Sequence, residues 1–309
     1  MKHFVGVDIG GTRIKAGLVS ANMKLVRESV AWLEPSDKSE DGLVRRVAAV
    51  IREVSEGVRP VLVGVGIPGV IDRSRGVVSR SPNFPEWLDF PVQRRLSDLT
   101  GHAVVIDNDA NCVIVGEAIA GAGAGTRSLI GLTLGTGVGG GIFLDGALWR
   151  GVNGMGGELG HVVADPAGPP CTCGGRGCLE MYPSVNGLRV LCRAQPVAGV
   201  DADANDLPEQ LAAAVGRGDW TARAHFATAG QALGRVLGSL LNIFDVKKVV
   251  LAGGVAATFP LMQEACTTAI RGASFPEIAA GVEIVQGTLA ERAGIIGAAF
   301  QWQAQPGHD

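Results

Sequence analysis

The sequence predicts an α/β fold of two related lobes, and three observations carry that expectation. Short apolar strands alternate with helix-spaced segments along most of the chain. A strand–glycine turn–strand unit occurs twice: VGVDIGGTRIKAGLV from residue 5 aligns with IGLTLGTGVGGGIFL from residue 130, pairing Gly6 with Gly131 and Gly10 with Gly135. At 309 residues the chain is long enough for two cores, and no low-complexity linker separates them.

Residues 3–8, 13–19 and 24–31 read as three strands joined by tight turns. Leu43, Val47, Val50, Ile51 and Val54 recur at helical spacing and predict a helix over 41–56. A strand at 61–67, a helix at 92–100 and a strand at 103–106 follow, and the last leads into a small apolar helix at 110–120. Strands at 129–134 and 140–144 form the second hairpin unit. Helices are then expected at 207–216, 220–244, 260–272 and 291–303, with strands at 248–252 and 282–285.

Composition narrows the function. Hydrophobic residues make up 47% and charged residues 18%, as in a globular protein, and a net charge of −3 without a basic block argues against nucleic-acid binding. Asp8 and Gly10 fall too early for a signal-peptide core, and Glu117 and Arg235 interrupt the best apolar runs, so a cytoplasmic protein with no membrane partner is expected. Its six cysteines then read as metal ligands or packing rather than disulfides.

Forty-six glycines cluster at strand ends, where backbone can approach a phosphate. In DIGGT, residues 8–12, the turn can offer N–H groups to phosphate oxygens, with Asp8 toward a nucleotide-bound Mg²⁺ and Lys15 adding charge; an ordinary hairpin turn is the alternative. LGTGVGGG, residues 134–141, contains the GxGxxG spacing, but a strand-like GIFLDG follows where a dinucleotide fold needs a helix. A two-hairpin phosphate clamp fits it better. LAGGVA, residues 251–256, either lets backbone approach adenine and ribose or makes a tight strand-to-helix turn.

DNDAN, residues 107–111, stands where a strand hands over to a helix. Capping needs one such polar residue, and the segment has four in five; the surplus points to groups presented to a ligand. Asp109 is the expected base for an attacking hydroxyl, with Asn108 as a hydroxyl ligand. In SPNFPEW, residues 81–87, two prolines stiffen a loop in which Asn83 either binds vicinal hydroxyls or is a plain turn residue. His161, Cys171, Cys173 and Cys178 supply the four ligands of a closed tetrahedral zinc site, in a spacing that is not a two-histidine finger. Cys112, Cys192 and Cys266 lie in helical patterns and read as core.

Together these pieces resemble the ROK family of sugar kinases and repressors from DIGGT to the final helix, most specifically in ELGH followed by CTCGGRGCLE. The resemblance implies an actin-like (ribonuclease H-like) ATPase fold with two α/β lobes around a nucleotide and sugar cleft. The lobes are expected at 1–108 and 109–290, with a C-terminal helix at 291–309 packing back on the first. It makes Asp109 the base for the sugar 6-hydroxyl and matches Asn83, Asn108, Glu158, His161 and Glu180 to sugar-binding positions. His161 doubles as a ligand of a structural Zn²⁺. Gly10, Gly11, Thr12, Gly135, Thr136 and Gly137 would hold the ATP phosphates, and Gly253 and Gly254 would lie near the nucleoside.

Pro183 and Arg13 depart from common family choices. The first strand starts near Met1, so the expectation is a kinase, not a repressor with a preceding helix-turn-helix or a non-catalytic sugar sensor. Glucose is the default substrate; N-acetylmannosamine, allose and fructose kinases share most of the motifs, and some relatives use polyphosphate in place of ATP. A homodimer is expected, and loss of zinc is expected to loosen sugar binding before it reaches the phosphate turns.

Overall fold

The computed structural model describes residues 2–303. The chain divides into two compact units. One gathers the chain up to Arg127, Gly141–Gly157 and the chain from Gly287 onward; the other comprises Ser128–Gly140 and Glu158–Gln286.

The first unit opens with strands β1 (His3–Ile9), β2 (Arg13–Ser20) and β3 (Leu25–Trp32), then helix α1 (Glu40–Val54). Ser39 caps α1 by accepting a hydrogen bond from the Gly42 amide, and the helix buries Leu43, Val47, Val50, Ile51 and Val54, the stripe visible in the sequence. Strands β4 (Val63–Ile67), β5 (Val70–Asp72), β6 (Val77–Arg80) and β7 (Leu88–Phe90) follow, then α2 (Val92–Thr100), β8 (Val104–Asn108) and α3 (Asp109–Ala120). The second unit begins with β9 (Leu129–Leu134); β10 (Val138–Leu144) starts in it, and β11 (Ala147–Trp149) returns to the first. Helices α4 (Val185–Ala194), α5 (Leu207–Gly216) and α6 (Trp220–Phe244) precede β12 (Lys248–Ala252). Helices α7 (Phe259–Ala273) and α8 (Pro276–Ala280), strand β13 (Glu283–Gln286) and helix α9 (Ala293–Phe300) complete the described chain.

The short repeat in the sequence is a repeat of topology. One five-stranded sheet has the order β3-β2-β1-β4-β8 and the other β11-β10-β9-β12-β13. In each, a hairpin's first strand pairs in parallel with the next strand of the sheet: β1 with β4, with Gly6 opposite Gly64, and β9 with β12, with Gly131 opposite Val250. This doubled order, with its second strand antiparallel, is the actin-like arrangement.

Several features differ from the expectation. A small sheet, β5-β6-β7, was not foreseen, because strands of three or four residues are too short to display alternation. The last helix is also shorter: a 3₁₀ turn at Ala290–Arg292 precedes α9, residues 301–303 form turns, and residues 304–309 of the expected helix lie outside the described residues. Finally, the first boundary falls after Arg127 rather than at 108, because α3 belongs with the first unit. Helix α3 packs on α9 so closely that a side chain at Gly297 would collide with the Cys112 carbonyl. Glu117, fully buried at the end of α3, accepts hydrogen bonds from the amides of Ala122, Thr288 and Leu289. Among the described residues no helix is long and apolar enough to cross a membrane.

Candidate active site

In the first unit the carboxyl ends of three parallel strands carry the polar residues, where open α/β sheets present ligand sites. Gly66 of β4 stands opposite Asp8 on one side and Asp107 on the other. The turn after β1 is closed by the Gly10 amide donating to the Arg13 carbonyl at 2.9 Å. That leaves the amides of Gly11 and Thr12 without a partner among the described residues, as a phosphate-binding turn requires. Burial pushes the Asp8 carboxyl up from its ordinary range, against the opposing pull of Lys15 and Arg13. Both cations also reach Glu291, Lys15 Nζ at 3.7 Å and Arg13 by a direct ion pair that holds Glu291 below the usual carboxylate range. No sequence pattern marked Glu291, a lone acid far along the chain.

Asn83 sits in the loop between β6 and β7, and that loop has a rigid base. Trp87 is fully buried with Phe84 and Phe90 on either side, each ring centroid 4.7 Å away. Ser81 Oγ donates to the Pro68 carbonyl at 2.6 Å and accepts from the Asn83 amide at 3.3 Å. The Asn83 amide group lies over Gly11, where an added Cβ would come within 3.3 Å of Nδ2. The expected sugar loop therefore touches the expected phosphate turn.

The DNDAN segment splits into a buried half and an open half. Asn108 is the N-cap of α3, its Oδ1 accepting from the Asn111 amide at 3.1 Å while Nδ2 donates to the Gly69 carbonyl at 3.1 Å. Asp107 and Asn111 are buried and bonded to each other, Asn111 Nδ2 donating to Asp107 Oδ1 at 3.0 Å. The surplus of polar residues is thus only partly turned outward: Asn108 and Asp109 remain half-buried, and Asp109 Oδ1 accepts from the Ala110 amide at 3.0 Å.

In the second unit the turn between β9 and β10 repeats the pattern. The Gly135 amide donates to the Gly137 carbonyl at 2.9 Å, and the amides of Thr136 and Gly137 have no partner among the described residues. A strand follows the turn, as expected, which excludes a dinucleotide-type helix here. The carbonyls of Gly135 and Thr136 accept from the amides of Val185 and Asn186, first-turn groups of α4 that have no intrahelical acceptor. Glu180 completes the brace: its Oε2 accepts from the Val138 amide at 3.0 Å, and a side chain at Gly137 would collide with it. Gly253 has φ +89° and fits under the Leu134 backbone at the end of β9, so its glycine is required by packing alone; Gly254 is open. Glu158 is exposed.

His161, Cys171, Cys173 and Cys178 converge, with all four ligand atoms within 4.8 Å of one another. His161 Nδ1 lies 3.7 Å from Cys171 Sγ, and Cys173 Sγ 3.6 Å from Cys178 Sγ. A tetrahedron with metal–sulfur bonds of about 2.3 Å has edges of about 3.7 Å, so this donor set fits a closed four-coordinate site for a thiophilic cation. Cys112, Cys192 and Cys266 are buried core residues.

Comparison with known proteins agrees with this geometry. The ROK family model matches residues 4–305. A glucokinase of Thermotoga maritima is 37% identical over 96% of this chain and 95% of its own. Among solved structures, a ROK hexokinase from Thermus thermophilus is 34% identical with a TM-score of 0.82, covering 97% of both chains. A ROK family glucokinase from Streptomyces griseus, in complex with glucose and AMPPNP, is 30% identical with a TM-score of 0.79, covering 96% of this chain and 98% of its own. With its doubled sheet, paired glycine turns and cysteine–histidine cluster, the chain belongs to the ROK family.

Proposed function

We propose that the protein transfers the γ-phosphoryl group of ATP to the 6-hydroxyl of a hexose, with glucose as the substrate. The reading is carried by Asp109, a half-buried carboxylate in the first turn of α3 beside the capping residue Asn108. The hydroxyl oxygen attacks the γ-phosphorus, the bond from phosphorus to the ADP oxygen breaks, and the hydroxyl proton passes to Asp109. Glucose 6-phosphate and ADP result. Such a transfer needs positioning and charge neutralisation more than covalent help.

The amides of Gly11, Thr12, Thr136 and Gly137, unpaired among the described residues, are suited to phosphate oxygens, with Lys15 adding positive charge. Gly10 and Gly135 close the two turns, and Gly253 and Gly254 border the nucleoside in this reading. Asp8, raised by burial and with no hydrogen-bonded partner among the described residues, is suited to the Mg²⁺ that accompanies ATP and offsets its charge. Asn83, Asn108, Glu158, His161 and Glu180 bind the sugar hydroxyls. A structural Zn²⁺ held by His161, Cys171, Cys173 and Cys178 fixes the segment that carries Glu180. We read the protein as a cytoplasmic homodimer, by its likeness to the kinases of the family, and as acting without nucleic acid or membrane, since its net charge is −3 without a basic block.

A coupled ADP assay over glucose, mannose, fructose, allose, N-acetylglucosamine and N-acetylmannosamine tests the substrate, and turnover with none of them overturns the hexose kinase reading. Asp109→Asn is expected to lower kcat by about 10²–10⁴-fold while glucose still binds. Unchanged turnover would remove Asp109 from the role of base.

A further inference from the structure

Asp107 has no part in the transfer described above, yet it is among the most elaborately bonded side chains of the first unit. It is 2% exposed, at the end of β8, two residues before Asp109. Its Oδ1 accepts from the Asn108 amide at 2.8 Å and from Asn111 Nδ2 at 3.0 Å. Its Oδ2 accepts from Arg150 Nε at 2.9 Å, with Arg150 Nη2 2.8 Å away, and Arg73 Nε lies at 3.6 Å. These partners come from the strand-to-helix turn itself, the first turn of α3, the segment after β11 and the segment after β5. Burial and the neighbouring Arg150 weaken the hold of Arg73 on its proton, against the support of Asp107.

A cluster of this kind is poorly explained by stability alone. Taking the Arg150 guanidinium and the Asp107 carboxylate out of water costs about as much as their attraction returns, and apolar side chains of similar volume often do as well. What the cluster supplies is geometry. The carboxylate grips the turn on both sides of Asp109, at the 108 amide and the 111 side chain, and Arg150 fixes the carboxylate. We infer that Asp107, clamped by Arg150, is a positioning residue that aims the Asp109 carboxylate at the attacking hydroxyl. This rests on the reading of Asp109 as the base. A displacement of about 1 Å at a reacting group can cost about a hundredfold in rate, so a brace that is never in contact with substrate can still govern kcat.

The test compares Asp107→Asn, Arg150→Lys and Asp109→Asn by steady-state kinetics, with kcat scaled to the fraction of protein that binds glucose. In Asp107→Asn the arginine loses its acceptor while the side-chain shape is kept, and kcat is expected to fall about ten- to a hundredfold with KM for glucose and ATP held within about threefold. Arg150→Lys keeps the charge balance and gives up the guanidinium Nε–H that donates to Oδ2; it is expected to lose about three- to tenfold in kcat with the same KM values, and it decides the matter if Asp107→Asn does not fold. A merely structural role would lower melting temperature and binding-competent fraction without this split between kcat and KM. Scaled kcat within twofold of the parent, or a rise in KM matching the loss of kcat, overturns the inference. If Asp109→Asn itself keeps turnover, the base assignment fails instead, whichever way the other two variants behave.

Discussion

The two glycine turns, 10–13 after β1 and 135–137 after β9, occupy equivalent places in two sheets of the same strand order, and each leaves two neighbouring amides without a partner among the described residues. They are held in opposite ways. The first is surrounded by charge: Asp8 at its base, Lys15 and Arg13 on the returning strand, and Glu291 pairing with both cations. The second is held by hydrogen bonds to its own backbone: amides of Val185 and Asn186 on its carbonyls and the Glu180 carboxylate on the Val138 amide. A repeated backbone has thus been given two chemistries, one suited to metal and triphosphate charge and the other to fixing a turn against the segment that follows the cysteine cluster.

The largest expected effect separates charge from shape in the first turn. Asp8→Asn keeps the volume and removes the carboxylate, and is expected to lower kcat by about 10²–10³-fold. In the ligand-free, metal-free protein the same change should stabilise. Burial raises the Asp8 carboxyl, so its protonated form is favoured by folding, and its contribution to stability is fully present below the ordinary value of 3.8 and lost as the pH climbs through the folded value. At pH 7 the carboxyl is therefore a net cost that asparagine removes. Melting temperature measured against pH should show the variant ahead near neutrality and the two proteins converging below about pH 4. A variant less stable than the parent at pH 7 would mean that Lys15 and Arg13 outweigh burial.

A middle-sized effect is expected at the cysteine–histidine cluster, read as a zinc site. The sequence alone suggested that losing zinc would loosen the sugar before the phosphate turns. The hydrogen bonds argue against that order: Glu180 follows Cys178 by two residues and binds Val138 directly, and α4 braces Gly135 and Thr136 a few residues later. Removal of metal by a chelator, or Cys178→Ser, should weaken glucose and nucleotide together, each by about tenfold, with a lowered melting temperature. Calorimetric titration of both ligands checks it, and intact nucleotide affinity in metal-free protein would uncouple the turn from the cluster.

What could be read from the sequence follows from how far each signal reaches. The hairpins, α1, α6 and the cysteine–histidine cluster are written in local patterns: alternation, a helical stripe, a cysteine–histidine spacing. Asp109 and its capping neighbour were legible because a strand handing over to a helix needs one cap and the segment held four polar residues. What the pattern does not convey is direction. Asp107 and Asn111 turn inward, and nothing nearby announces Arg150, 43 residues later, as the partner of Asp107. Glu291 and Glu180 are likewise single acids whose partners are set by the fold, over separations no periodicity spans.

The smallest effect distinguishes two jobs of one residue. Glu180 is proposed to bind sugar, and its Oε2 also accepts from the amide of Val138, which is buried. Glutamine keeps a carbonyl oxygen at that place and gives up the charge. Glu180→Gln should therefore raise KM for glucose by about tenfold and leave KM for ATP within about twofold, since hydrogen bonds to charged groups are worth about 1.5–3 kcal/mol and the turn keeps its acceptor. Glu180→Ala leaves the Val138 amide without a partner, a cost of about 1–3 kcal/mol that the turn relieves by shifting. Its KM for ATP should rise about three- to tenfold beyond that of the glutamine variant. Equal ATP constants in the two variants would show that the α4 amides alone hold the turn, and that Glu180 serves only the sugar.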